Sequence, residues 1–365
     1  MMINRIGALK TLDASLGPLL VSLSHKIFRP RQEPDNGVDR ILFIRPGGMG
    51  DAVVLMPAIA AVKAQYPEAR IHVLGEKRNA GIFSLSRDVD RVFLYDRPMD
   101  MLAVLRLRYN VVIDTEQWHR LSAVVARMLR APLTVGFGTN ERRRIFTHTI
   151  PYGHDFYEVK SFLDLIAPLA GNVAFDQEKA FLAAPSERVS GVLGILKIPE
   201  RTRSIVLFPG GTLKERRWGE SRFRIVAEAL RRKGYCIIVV GGKEDAVAGR
   251  QIIAGIPGSF NLCGKLSIRE ASAVLQGASL LISNDSGIMH LGYAVGTRVV
   301  ALFGPGIEKK WAPRSNRVIV LNKYLPCSPC TKFGYTPKCR KGAVCMSGIS
   351  PEDVLKSAER LLEQH

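Results

Sequence analysis

A series of apolar strands, each followed by a helix-period pattern, begins at Arg40 and begins again at Ile205. This repeated alternation restricts the fold most, because strands alternating with helices build parallel sheets whose two faces the helices cover. In the first series RILFI (40–44) is followed by strands near 70 to 74, 91 to 95, 110 to 114 and 132 to 136, with helices near 52 to 65, 99 to 108 and 119 to 130. A less regular stretch with a helix near 156 to 170 follows, and Pro185 to Arg203 reads as a connector. The second series has strands IVLF, CIIVV, LLIS and VVALF, with helices near 219 to 233, 244 to 254, 267 to 276 and 286 to 295. A chain of 365 residues has room for two such domains. The expected organisation is an N-terminal appendage over 1–37, a Rossmann-like α/β domain over 38–195, a second over 196–350, and a C-terminal helix over 351–365, opened by Ser350-Pro351, that packs back across the boundary. Two doubly wound domains facing each other place a ligand cleft between the carboxyl ends of their sheets.

Lys and Arg number 52 against 33 Asp and Glu, a formal charge of +19, which points to a polyanionic partner: nucleic acid, anionic lipid or a phosphorylated substrate. No run reaches the ~18 uninterrupted apolar residues of a membrane-spanning helix. The segment ALKTLDASLGPLLVSLSHKIF contains Asp13 and lacks the pattern of a secretory signal, so a cytoplasmic location is expected. Leu9, Leu12, Leu16, Leu19, Leu20 and Leu23, followed by Lys26, Arg29 and Arg31, suit either an amphipathic helix on an anionic membrane surface or a helix packed on the protein body.

Chemistry concentrates in the turns after the strands. RILFI runs into Arg45-Pro46-Gly47-Gly48-Met49-Gly50-Asp51 and then a helix, a turn suited to a phosphate or another polar ligand. It lacks the third glycine of a dinucleotide fingerprint, which weakens a dehydrogenase reading in which Glu76 would hold a ribose. Asp51 is either a helix-dipole residue or a general base at the mouth of the sheet. In FPGGTLKERRW, Lys214, Arg216 and Arg217 can reach a diphosphate or form a solvated basic loop. In GGKED, Glu244 or Asp245 suits ribose hydroxyls. In SNDSGIMH, Asp285 suits sugar hydroxyls, Ser286 and Gly287 open a helix that can hold phosphate, and His290 reads from spacing alone as a packed helix residue.

Taken in order, RPGGMGD, FPGG with a basic patch and Trp, GGKED, and SNDSGIMHLGYAVGT followed by ALFGP resemble the heptosyltransferases of glycosyltransferase family nine, from Arg40 to the C-terminus. The resemblance implies a GT-B fold and an inverting transfer of heptose from ADP-heptose to a lipopolysaccharide inner-core acceptor, a phosphorylated glycolipid. It implies action at the cytoplasmic face of the membrane and no metal in the chemistry. By the same resemblance Asp51 is the general base, and Gly48 and Gly50 form the turn beside the acceptor. Glu244 matches the ribose acid, Asp285, Ser286 and Gly287 hold donor sugar and diphosphate, and His290 matches the His of that helix. The family's phosphate-contacting Lys falls on Arg216, which keeps the charge and changes its shape, and Lys214 can substitute. Arg142-Arg143-Arg144 lies where the acceptor is expected, and is otherwise a solvated run.

Four late cysteines, Cys327, Cys330, Cys339 and Cys345, open with metal-ligand spacing and suit structural zinc or an iron–sulfur cluster, whereas the resemblance gives them no catalytic ion. Two other readings remain: a related GT-B transferase with another nucleotide sugar or another surface-glycan acceptor, and a basic nucleic-acid-binding protein. The sequence carries no recognisable module for nucleic acid.

Overall fold

The structure, a computed structural model, describes residues 2–32, 37–185, 203–332 and 335–363. It contains two compact units, Met1–Phe175 and Asp176–His365. The first has six parallel strands: β1 (Arg40–Ile44), β2 (Arg70–Gly75), β3 (Arg91–Leu94), β4 (Val111–Asp114), β5 (Leu133–Phe137) and β6 (His148–Ile150), in the order β3-β2-β1-β4-β5-β6. The second has β7 (Ser204–Phe208), β8 (Cys236–Val239), β9 (Ser259–Asn261), β10 (Leu280–Asn284), β11 (Val299–Leu302) and β12 (Val318–Leu321), in the order β12-β11-β10-β7-β8-β9. Counted from its own first strand, each sheet has the same order. In both, the chain winds outward for three strands and returns beside the first, so its direction of travel reverses between β1 and β4, and between β7 and β10. Ligands of open α/β sheets bind outside the carboxyl ends of the strands at that reversal.

The central strands are buried on both faces: Ile41 to Ile44, Val111 to Asp114, Ser204 to Phe208 and Leu280 to Asn284 are all buried. Burial of both faces is why they read in sequence as continuous apolar runs.

Two expected boundaries change. The 195/196 junction lies outside the described residues, but the second unit already includes residues 176–185: the N–H groups of Phe181 and Leu182 both donate to the Ala294 carbonyl. The C-terminal helix Pro351–Glu363 places Val354, Ala358 and Leu361 in one apolar cluster with Val226 and Leu230 of the Glu220–Arg232 helix. Its apolar face is therefore used within the second unit. The N-terminal segment is no appendage either. Its helix, Met2–Ile27, packs on the Leu121–Met128 helix, Val21 joins the first unit's core, and the Asp13 carboxylate accepts the N–H groups of Arg120 and Leu121 at 2.6 and 2.8 Å. Those amides open the Leu121–Met128 helix and have no intrahelical partner, so Asp13 caps it from a distant part of the chain. Among the described residues no helix is long and apolar enough to cross a membrane.

One core group makes the first unit acid-sensitive. His72, on β2, is buried edge-on to Phe93 and Tyr109, with Nδ1 3.2 Å from the Tyr109 hydroxyl. Burial, then the charge of Arg40, pushes the imidazole down to about 4. The unfolded chain takes up this proton near pH 6.5 and the folded one only near pH 4, so stability is lost as pH falls between the two, by about 2 kcal/mol down to pH 5. Urea midpoints of His72→Gln are expected to vary correspondingly less between pH 7 and pH 5. Equal pH slopes in both proteins would refute this.

Candidate active site

At the end of β1 the chain turns through Gly47, whose φ of +120° is a left-handed conformation open to glycine. The Gly47 N–H donates to Glu76 Oε1 at 3.1 Å, and Asn79 Nδ2 donates to the carbonyls of Arg45 and Gly47 at 3.0 and 3.2 Å. Glu76, the acid a dehydrogenase would use on ribose, here braces the turn. Arg45 folds beneath it, buried, donating through Nη1 to the Thr115 carbonyl at 2.8 Å. Its Nη2 lies 3.5 Å from Asp51 Oδ1 and 3.6 Å from Glu116 Oε2. A Cβ at position 47 would come within 2.9 Å of that same Nη2, so the turn needs glycine for space as well as for φ.

Asp51 sits in the first turn of the Met49–Gln65 helix, with Gly48 at the N-cap and Gly50 beside it, and its side chain keeps 24% exposure where Arg45 has 2%. The first unit thus presents a carboxylate to solvent on a buried guanidinium. Glu116 stays beneath: its Oε1 accepts the N–H groups of Gln117, Trp118 and His119. Burial works to raise its carboxyl, and Arg45, then Arg142 and His119, outweigh it and hold the group below the ordinary carboxylate range. Deeper still, Arg142 Nη2 pairs with Asp114 Oδ2 at 2.8 Å with neither side chain exposed. Arg142 therefore leaves the basic run expected at the acceptor, while Arg143 and Arg144 remain exposed. Sequence reasoning missed Arg45 and Glu116. The acids of Asp114-Thr115-Glu116, at the end of the strand beside β1, were the available signal.

In the second unit Asn284, at the end of β10, donates through Nδ2 to the carbonyls of Pro209 and Gly210 at 2.8 and 3.0 Å and accepts the Trp218 N–H at 3.2 Å. One amide thereby ties the Pro-Gly-Gly turn after β7 to the neighbouring strand end. Arg217 closes the loop by donating twice to the Gly211 carbonyl, at 2.9 and 2.7 Å, and so braces the turn. Arg216 is the basic residue turned to the strand ends: Nη1 lies 2.9 Å from Asp285 Oδ2, and Nη2 reaches Thr331 Oγ1 at 3.4 Å. Burial raises the Asp285 carboxyl and Arg216 opposes it. Ser286 caps the Gly287–Ala294 helix, accepting the Met289 N–H at 3.4 Å. The open amides of that first turn suit an anion.

His290 lies one turn along, buried, its ring edge-on to Trp311 at 6.1 Å and its Nδ1 without a hydrogen-bond partner among the described residues. Burial, then Arg216, pushes it down to about 3, so it is neutral at physiological pH and offers a hydrogen bond in place of a charge. The structure thus gathers Arg216, Asp285, Ser286, Gly287 and His290. Lys214 and Glu244 are exposed. Asp245, the other acid of that turn, is buried and accepts the Gly242 N–H at 3.0 Å, which takes it out of competition for the ribose.

The four late cysteines are free thiols, with Cys327 exposed, Cys330 and Cys339 half-buried and Cys345 buried. Among the described residues no three His, Cys, Asp or Glu side chains converge as metal ligands. Burial, then the neighbouring Cys339 and Cys327, raises the Cys330 thiol.

Known proteins match this architecture along its length. The profile of glycosyltransferase family 9 (heptosyltransferase) matches residues 102–339. Lipopolysaccharide heptosyltransferase 3 of Escherichia coli is 26% identical over 293 residues, 74% of this chain and 85% of that protein. Among solved structures, a family 9 glycosyltransferase from Veillonella parvula superposes with a TM-score of 0.77 at 22% identity, covering 92% of this chain and all of that one. The ADP-heptose lipopolysaccharide heptosyltransferase II of E. coli gives 0.74 at 21%, covering 89% and 99%. The expected GT-B class is borne out, and with two doubly wound sheets whose glycine turns stand at both chain reversals, the chain belongs to glycosyltransferase family 9 and is a glycosyltransferase.

Proposed function

We propose that this protein transfers heptose from ADP-heptose to a phosphorylated inner-core lipopolysaccharide acceptor, with inversion, at the inner face of the membrane. The observation that carries this reading is Asp51: a carboxylate at the chain reversal of the first sheet, 24% exposed, that rests 3.5 Å from the buried Arg45 guanidinium. In this reading Asp51 takes the proton of the acceptor hydroxyl, whose oxygen attacks the anomeric carbon from the face opposite the nucleotide. The bond from that carbon to the phosphate oxygen breaks, and its electron pair leaves with ADP. Arg216, Lys214 and the first amides of the Gly287–Ala294 helix meet the charge that grows on the diphosphate, so the step requires no metal and persists in EDTA. Asp285 and His290 hydrogen-bond the sugar, Glu244 the ribose, and Gly48 and Gly50 leave room for the acceptor. The names of the relatives support the donor and acceptor.

Calorimetric titration with ADP, UDP and GDP tests the donor assignment. ADP is expected to bind preferentially, and Arg216→Ala to weaken it at least about tenfold through loss of a charge-assisted contact. Preference for UDP or GDP would favour a transferase with another nucleotide sugar, and no binding of any nucleotide would overturn the reading.

A further inference from the structure

The Met2–Ile27 helix has three different sides. Asp13, Gly17, Val21 and Ser24 are buried against the first unit. Thr11, Ser15, His25 and Lys26 form a polar side. Between these sides lie Leu12, Leu16, Leu19, Leu23 and Ile27, all exposed, with Leu19 at 57% and Ile27 at 66%. Their spacing of three and four residues makes one continuous aliphatic stripe along the helix. Leu9 belongs to the same pattern in sequence, but its side chain lies outside the described set. A soluble helix docked through one face has no folding reason to expose five large aliphatic side chains in register.

The surroundings identify the partner. The chain after the helix is pinned to the body, the Arg31 N–H donating to the Arg130 carbonyl at 3.0 Å and Arg130 Nε to the Arg29 carbonyl at 3.1 Å. This gathers the exposed side chains of Lys26, Arg29, Arg31 and Arg130 at the end of the stripe. Aliphatic side chains flanked by Arg and Lys match the acyl boundary and headgroups of an anionic bilayer. A second copy of the chain would set like charge against like.

We infer that the leucine stripe of the N-terminal helix docks this protein on an anionic lipid surface. The body of the protein holds the helix in place through Asp13 and Val21, so the stripe is presented without a folding step.

Co-sedimentation of the full chain with phosphatidylcholine vesicles, with and without phosphatidylglycerol, tests the inference. Binding is expected to the anionic vesicles, and to weaken as salt rises from about 0.1 to about 1 M, where the Debye length shortens from about 10 to about 3 Å. Leu16→Asp with Leu19→Asp is expected to reduce vesicle binding at least about tenfold with an unchanged melting temperature, since both residues are exposed. A parallel ADP titration reads the catalytic assignment independently, so failure of one does not imply failure of the other. Absence of vesicle binding by the unaltered chain, or equal binding by the variant, would overturn the inference. So would a concentration-dependent dimer that the same variant converts to monomer, which would assign the stripe to a second copy.

Discussion

Replacing Asp51 with Asn is expected to lower the rate of heptose transfer by about 10²–10⁴-fold, the usual contribution of a positioned general base, while ADP affinity stays within about twofold. Asn has the shape of Asp and still offers an oxygen to Arg45 Nη2, 3.5 Å away in the native protein, so the glycine turn is left standing. What disappears is the group that accepts the acceptor's proton. The half-exposed position makes the substitution cheap in stability, and Arg45 retains Glu116 at 3.6 Å and the Thr115 carbonyl at 2.8 Å. A transfer rate within about threefold of the native value would remove Asp51 from the mechanism. A rate loss accompanied by equally weakened ADP binding would assign the residue to structure.

Arg142→Met is expected to destabilise the first unit by about 3–5 kcal/mol, a fall of roughly 10 °C in melting temperature, because it strands Asp114 as a lone buried charge. Arg142 and Asp114 are each fully buried, and Arg142 Nε and Nη1 have no hydrogen-bond partner among the described residues. Met can occupy the apolar surroundings that include the Phe146 ring, 5.6 Å from the guanidinium, so lost packing is a minor part of the cost. The larger part is removed by adding Asp114→Asn, which keeps Oδ1 as acceptor of the Glu116 N–H, 3.1 Å away in the native protein, and places an amide that can donate to the Ser122 hydroxyl, 2.9 Å from the native Oδ2. The double variant is expected to recover more than half of the lost stability, as measured by thermal and urea unfolding. Equal melting temperatures for the single and double variants would sink the account.

The strands that sequence reading missed are β6, β9 and β12, and all three are sheet edges. His148–Ile150 is mostly exposed, while Ser259–Asn261 and Val318–Leu321 are half-buried throughout. An edge strand lacks neighbours on one side and needs no continuous apolar run, so the signal that marks β1 or β10 is absent from His148–Ile150 and Ser259–Asn261, whereas Val318–Leu321 carries it and was passed over. The remaining edge, β3, was legible because Val92, Phe93 and Leu94 stand together in sequence.

At the candidate site, local chemistry was legible and pairing was not. The turns RPGGMGD, FPGG and SNDSG, and with them Asp51, Arg216, Asp285 and Ser286, stand out because each needs particular residues at consecutive positions. Arg45 and Arg217 look in sequence like their solvated neighbours, yet one is buried beneath Asp51 and the other is tied to a turn carbonyl. Arg142, in a run of three arginines, is the buried one because its side chain meets Asp114, 28 positions away. The order of apolar and glycine segments determined two doubly wound units and where their turns lie, since secondary structure and its punctuation are set by near neighbours. Which charges are buried, paired or left free for chemistry was decided only by the tertiary structure, because desolvation and ion pairing depend on groups that folding alone brings within a few ångströms.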